Sequence, residues 1–307
     1  MQENKNLTFG PVNSRRFGIS LGIDLSPSHK QCNFDCLYCE LAPAPTMSKQ
    51  TISYNVKDYI DAVKIELEKN PEIEVITITA NGEPTLYPYL DHLVDKLNKI
   101  KGDKKLLILS NTALISDFKI KKTLKKIDIV KLSLDCATNE CFKKLDRIDK
   151  SIDCQKMIDH IFEFNKMFKN ELIMEVLFVD TINNKKKELD ELYDILYDLN
   201  PTRVDIGTID RPPAYPVQAI SYEELQEIAN SMSGLNISIA HKNKISLDKY
   251  LTKDEILNLL DKRPQTLDDI NNLLNEESKQ IFNTLLDEDL IETKNQAGVD
   301  FYARKRD

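Results

Sequence analysis

No apolar run in this 307-residue sequence approaches the length that crosses a bilayer, and the start MQENKNLTFG lacks the charged-then-apolar layout of a signal peptide. The cytoplasm is the expected compartment. It is reducing, so clustered cysteines there are metal ligands or catalytic thiols more often than disulfides. Positive charge is not in excess either: 42 Lys and Arg stand against 50 Asp and Glu, a net of −8. Affinity for nucleic acid is largely phosphate neutralisation, so a general polyanion binder is disfavoured and only a local basic site stays open. Hydrophobic content of 41% and charged content of 30% describe an ordinary globular chain, long enough for one large domain and a small one.

What is present is a repeating pattern. Residues 1–18 read as irregular, and Ile19–Leu25 reads as a strand broken by Ser26-Pro27-Ser28. After a long loop, Asn55 can cap a helix whose apolar face is Val56, Tyr59, Ile60, Val63 and Leu67. Strands at Glu74–Ala80, Leu106–Ser110, Ile129–Leu134, Leu172–Val179 and Val204–Ile209 then alternate with helices, one of them broken near Lys150. Such alternation implies parallel strands with right-handed crossovers, and their nearly continuous apolar character implies a covered sheet. Six units would leave a partial barrel; a doubly wound open sheet predicts much the same string. The barrel is favoured because the chemically suggestive residues fall at the C-terminal ends of several strands. From about residue 248 the pattern changes to three helices, two opened by Thr252-x-x-Glu255 and Thr266-x-x-Asp269, and a hairpin turning at Asn295-Gln296-Ala297-Gly298. That is the layout of a winged helix-turn-helix.

The strongest signal is Cys32-Asn33-Phe34-Asp35-Cys36-Leu37-Tyr38-Cys39, three thiols with no fourth close by. A [4Fe–4S] cube ordinarily takes four thiolates, so three leave one iron open to an outside ligand. Zinc is the competing reading, with His29 as its fourth ligand. Further along, Asn81-Gly82-Glu83-Pro84 follows the second strand, Ser110-Asn111-Thr112 the third, and Ser133-Leu134-Asp135 the fourth, with Arg147 a helix later. Taken alone, Tyr38 can be a core aromatic, and Ser133 and Asp135 can be helix caps.

Together these motifs resemble the radical S-adenosylmethionine (SAM) superfamily. The resemblance implies a [4Fe–4S] cluster on Cys32, Cys36 and Cys39, with SAM on the open iron and Tyr38 near its adenine. It implies that Gly82 and Glu83 meet the SAM ammonium, Gly by close backbone approach and Glu by its carboxylate. Asn111, Ser133 and Asp135 would then serve its ribose and carboxylate, and Arg147 its carboxylate. The activity implied is cleavage of SAM to a 5′-deoxyadenosyl radical that abstracts a substrate hydrogen, with an electron donor of the flavodoxin or ferredoxin type. Gly10–Arg16, Asn81–Leu86 and Gly207–Pro213 are similar to wyosine-synthase-like members, and there Arg15, Arg16 and Arg211 either hold an anionic substrate group or pair with acidic neighbours. No Cys precedes Cys32, whereas wyosine synthases carry upstream cysteines for a second cluster. Cys136, Cys141 and Cys154 have no familiar cluster spacing and read as buried thiols.

The expectation is an α/β protein: a partial TIM barrel (β/α)6 radical SAM core over 1–247 and a winged-helix domain over 248–307. Its substrate would be macromolecular, an RNA base or a peptide or protein. Residues 248–307 hold 9 Lys and Arg against 14 Asp and Glu, so protein docking or a structural role suits the winged helix better than DNA. The lysine runs at 121–126 and 185–187 read as solvated helix faces. The alternative function is a non-enzymatic iron–sulfur sensor.

Overall fold

Period-two patterning sorts the central strands of the main sheet into two unlike faces. In the computed structural model, which describes residues 7–14, 16–149, 152–239, 247–262, 264–296 and 299–305, the chain runs β1 (Thr8–Ser14), β2 (Gly18–Asp24), α1 (Val56–Lys69), β3 (Val75–Thr79), α2 (Leu90–Ile100), β4 (Lys105–Ser110), α3 (Phe118–Leu124), β5 (Ile129–Ser133), α4 (Asn139–Leu145), α5 (Cys154–Met167), β6 (Glu171–Phe178), α6 (Lys186–Leu199), β7 (Arg203–Thr208), α7 (Tyr222–Ser231) and β8 (Ile237–Ile239). Arg15, Lys150, Ala297 and Gly298 lie outside the described residues.

These strands form one sheet in the linear order β1 to β8. From β2 onward each pairs parallel with the next, while β1 pairs antiparallel with β2. One set of alternate residues is apolar throughout: Leu21 and Ile23, Ile76 and Ile78, Leu106 and Ile108, Val130 and Leu132, Met174 and Val176, Val204 and Ile206. They share a single buried core with the inward faces of α1, α2, α5 and α6. The helices therefore cover one face only, which a doubly wound sheet would not allow. The opposite face turns inward. A small apolar plug of Val75, Leu107, Ile129 and Ile173, with Phe17 against it, closes the end where the strands begin. Next in from it lie Lys131, Glu175 and Asp205, joined to one another and to Arg16 by ion pairs. Among the described residues the sheet is not closed: β1 and β8 pair only with β2 and β7.

Several expectations need correction. Thr8–Ser14 is a strand, not irregular; Gly10-Pro11 and a bulge between Phe9 and Val12 hide its alternation, as suits an edge where Pro11 has no N–H to pair. Among the described residues the parallel strands number seven rather than six, because three-residue β8 is too short to read as a strand. Asn55 holds the N-cap position of α1 but makes no side-chain bond there. Lys121 is not solvated: it is buried and donates to Glu163 at 2.7 Å. Cys136 and Cys141 are joined as a disulfide rather than standing as two thiols, and the free Cys154 thiol lies buried against the Ala137 carbonyl.

After β8 come α8 (Lys253–Lys262), β9 (Gln265–Thr266), α9 (Leu267–Leu273), α10 (Glu276–Asp287), β10 (Ile291–Gln296) and β11 (Val299–Arg304), with a three-stranded sheet ordered β10-β11-β9. Ile256, Leu260, Ile270, Phe282 and Leu285 make a core of their own. Thr252 and Thr266 make the reciprocal capping bonds with Glu255 and Asp269 that their spacing implies. Polar contacts tie this segment to the large sheet and to α1: Asn258 to the Thr8 carbonyl at 3.4 Å, Lys262 to Asp24 at 2.5 Å, and Lys249 to Asn70, the C-cap of α1, at 3.0 Å.

Leu93 on α2 is fully buried in the main core. Leu93→Ala is expected to lower stability by about 3 kcal/mol through lost burial and the cavity left behind. Urea denaturation followed by circular dichroism measures it.

Candidate active site

The cysteine loop has no regular structure, so its backbone groups are bonded from several directions. At the end of β2, Asp24 Oδ1 accepts the amides of Ser26 at 2.9 Å and Asn81 at 2.8 Å, fixing the start of the loop beside the turn after β3. Gln31 is fully buried; its amide donates to Ser26 Oγ and the Ile52 carbonyl and accepts from the amides of Thr51 and Ile52. The main chains meet in a bridge: Gln31 N donates to Asn81 O at 2.8 Å, and Glu83 N donates to Gln31 O at 3.0 Å. Gly82 is required between them. Its φ is +135°, and a Cβ there would lie 1.9 Å from the Gln31 oxygen. On the other side, Asp35 N and Leu37 N donate to the carbonyls of Asp146 and Leu145 at the C-terminal end of α4, and Ala214 N donates to Cys39 O at 2.7 Å.

These anchors bring Cys32, Cys36 and Cys39, all free thiols, to one cavity of about 340 Å³ at the C-terminal ends of the strands. Tyr38, Gly82, Glu83, Asn111 and Ser133 line the same cavity. Asp135 and Arg147 do not. Asp135 is buried behind it, accepting the Tyr38 hydroxyl and the Leu177 amide, so it holds the tyrosine in place. Arg147 stacks over Tyr215 at 4.6 Å on the outer side of the loop, 3.7 Å from Asp35, and is 44% exposed. Neither Ser133 nor Asp135 caps α4, because that cap is Thr138. His29, the zinc candidate, is exposed, bonds Ser28 and is not among the residues lining the cavity.

The electrostatics suit a bound cation. Burial, with the Glu83 charge adding to it, pushes the Cys32 thiol up to about 12. Burial raises Cys36 well above the ordinary thiol value, with Asp146 contributing, and raises Cys39 against the pull of Lys30. Buried thiolates therefore need positive charge beside them, which iron supplies and which the Lys30 ammonium supplies in part. Cys32 Sγ also faces two donors, Phe34 N at 3.4 Å and Asn111 Nδ2 at 3.6 Å. The donor set thus fits a cluster held by three thiolates. Glu83 is 1% exposed, and burial raises its carboxyl while four donors from Thr85, Ser110 and Asn111 pull it back. Three of those bonds fall on Oε1 and only Asn111 N on Oε2, which keeps acceptor capacity toward the cavity.

Sequence reasoning missed Asp24, Lys30, Gln31, Asp35 and Tyr215. Burial opposes ionisation of Asp35, yet Tyr215, Lys30 and Arg147 together hold its carboxyl below the usual carboxylate value. Lys30 and Gln31 adjoin the cysteines and were findable by position; the partners of Asp24 and Tyr215 lie too far along the chain to be read. A second cavity of about 410 Å³ shares Glu40, Leu41, Thr79, Ala80, Leu109 and Arg211 with the first. Arg16 and Arg211 both line it and both have acidic neighbours, Arg16 at Asp205 and Glu175 and Arg211 at Glu40.

Comparison with known proteins follows the same lines. A family model described as the radical SAM superfamily matches residues 27–196. The chain is 36% identical over 304 residues to a UPF0026 protein of Helicobacter pylori, covering 98% of each. It is 27% identical over 314 residues to a UPF0026 protein of Methanocaldococcus jannaschii, covering 97% of this chain and 96% of that one. A radical SAM methyltransferase from Sphaerobacter thermophilus has a similar fold, with a TM-score of 0.55 at 15% identity over 72% of this chain and 66% of that chain.

Gly82→Ala is expected to leave helix content intact but to cut the iron and sulfide bound after anaerobic loading about tenfold or more, since both the φ and the Gln31 contact forbid a side chain. Metal and sulfide analysis beside far-UV circular dichroism checks it.

Proposed function

The chain belongs to the radical SAM superfamily, and from that premise we propose that Cys32, Cys36 and Cys39 hold its [4Fe–4S] cluster and that the cavity they line receives SAM. Members of the superfamily are enzymes that use this cluster and SAM and need an electron donor and a substrate. Cluster and SAM, when bound, supply reductive cleavage to a 5′-deoxyadenosyl radical that takes a hydrogen from the substrate. The observation that carries the assignment is the convergence of three free thiols with Gly82, Glu83, Asn111 and Ser133 on one cavity at the strand ends.

The chain's own groups have distinct tasks in this reading. Asn111 and the Phe34 amide donate toward the Cys32 sulfur, and Lys30 offsets the charge of Cys39 and Cys32. Glu83 Oε2 offers an acceptor to the SAM ammonium, and Asp135 fixes Tyr38 for the adenine. Leu41 and Leu109, which line both cavities, exclude water between cofactor and substrate, as a reactive radical requires. The 410 Å³ cavity takes the substrate group. It is large enough for one side chain or one base, so a macromolecule would present a single residue to it.

We read the large sheet as a partial barrel and residues 248–307 as a separate winged-helix domain. A polypeptide substrate, docked through that domain, is favoured because the segment carries 9 Lys and Arg against 14 Asp and Glu and α10 opens on Glu276-Glu277. An RNA base is the second reading, supported by Arg16 and Arg211 at the cavity and by the resemblance to wyosine-synthase-like members. A flavodoxin- or ferredoxin-type protein would deliver the electron.

Anaerobically loaded, reduced protein is expected to convert SAM to 5′-deoxyadenosine and methionine. No product from a fully loaded cluster would leave the sensor alternative standing. Cys36→Ala is expected to lose the absorbance near roughly 400 nm of thiolate-bound iron. Association of loaded protein with a defined polypeptide should resist ribonuclease; loss of the bound partner on ribonuclease treatment would favour the RNA base.

A further inference from the structure

We propose that Lys262, in the last turn of α8, is a positioning residue for the SAM-binding turn, so that the C-terminal segment completes the cofactor site of the large sheet. The inference rests on the reading above. Lys262 Nζ lies 2.5 Å from Asp24 Oδ2 and donates to the Pro27 carbonyl at 3.0 Å, and both side chains of the ion pair are under 5% exposed. Asp24 is the organiser of the loop entry: its other oxygen accepts Ser26 N and Asn81 N. One buried carboxylate thus holds the first residues of the cysteine loop and of the Asn81-Gly82-Glu83 turn. Among the described residues its recorded ion pair is with Lys262. A second contact seats the same end of the segment: Arg211, after β7, donates to the Pro264 carbonyl at 3.0 Å and lies 3.6 Å from Glu40, next to Cys39.

Removing the Lys262 charge leaves a buried carboxylate uncompensated, which relaxes by taking a proton or by turning toward water. Either response loosens its grip on Asn81 N and, through it, on Gly82 and Glu83. The thiols are less affected, because the carbonyls of Leu145 and Asp146, Ala214 N, and the bonds of the Gln31 side chain to Thr51 and Ile52 anchor their loop apart from Asp24 and the Asn81 turn. The signature of a positioning role is therefore weaker SAM binding at unchanged cluster content.

The test uses the full chain, loaded anaerobically, as wild type, Lys262→Met, Lys262→Arg and the double variant Asp24→Asn with Lys262→Met. Iron and sulfide per chain and the Kd for radiolabelled SAM by equilibrium dialysis are measured on each, and 5′-deoxyadenosine formation separately. Lys262→Met is expected to raise the Kd about tenfold, the worth of one charge-assisted contact, with full cluster content. Lys262→Arg is expected to restore most of the affinity. The double variant has no charge left to compensate, and the amide oxygen at position 24 can still accept from Asn81 N. It should come within about threefold of wild type. An unchanged Kd in Lys262→Met overturns the inference, as does loss of affinity only in proportion to lost cluster. If Lys262→Met does not fold, the double variant decides: a Kd weakened as far as tenfold overturns it. Wild-type protein that binds SAM without forming 5′-deoxyadenosine would instead contradict the function proposed above, leaving the Kd comparison intact.

Discussion

A loop that buries three thiols without helix or strand of its own must have its backbone groups bonded from outside, because an unpaired buried amide costs as much as a lost hydrogen bond. Here that demand is met by the bridge between Gln31 and Gly82. It sets the cysteine loop against the turn after β3, and so brings the thiols beside Glu83. Asp24 below it and Asp146 beyond it fix the two sides of the same loop. Each of these anchors sits at the C-terminal end of a strand or just past a helix, where the sheet already fixes the backbone. The site is rigid because its supports are.

The inner face of the sheet resolves a tension of a different kind. Charged groups inside a protein are costly unless paired, and pairing rarely does better than apolar packing. Lys131 and Asp205 are nonetheless buried, paired with Arg16 and a one-third exposed Glu175, beside an apolar plug. A purely apolar interior would be as stable and would leave no polar surface for a substrate to meet. Stability is supplied by the outer face, where the helices pack, and the inner face is left free for chemistry.

This division explains what could be read from the chain. The outer face shows as periodic apolar positions, so the parallel strands and helices were legible, and the cysteine spacing with Gly82, Glu83, Asn111 and Ser133 at strand ends marked most of the cavity lining. Edge strand β1 and short β8 were illegible, since one is interrupted by Gly10-Pro11 and the other lacks length. Asp135 and Arg147 have partners other than those expected: a position just past a strand or a helix says where a side chain starts, not which neighbour it meets. Asp24, Tyr215 and Lys262 carried no signal at all, because their meaning depends on residues 57, 180 and 238 positions away in the chain.

The burial that raises the cysteine thiols has a consequence for the protein before it is loaded. Oxidants attack the thiolate, and the thiol form is comparatively inert. Burial pushes the Cys32 thiol far above the ordinary thiol value, so the protonated form is favoured at neutral pH. Held as thiols, Cys32, Cys36 and Cys39 are chemically quiet. The same loss of solvation that makes a bare thiolate costly shields the three sulfurs from oxidation.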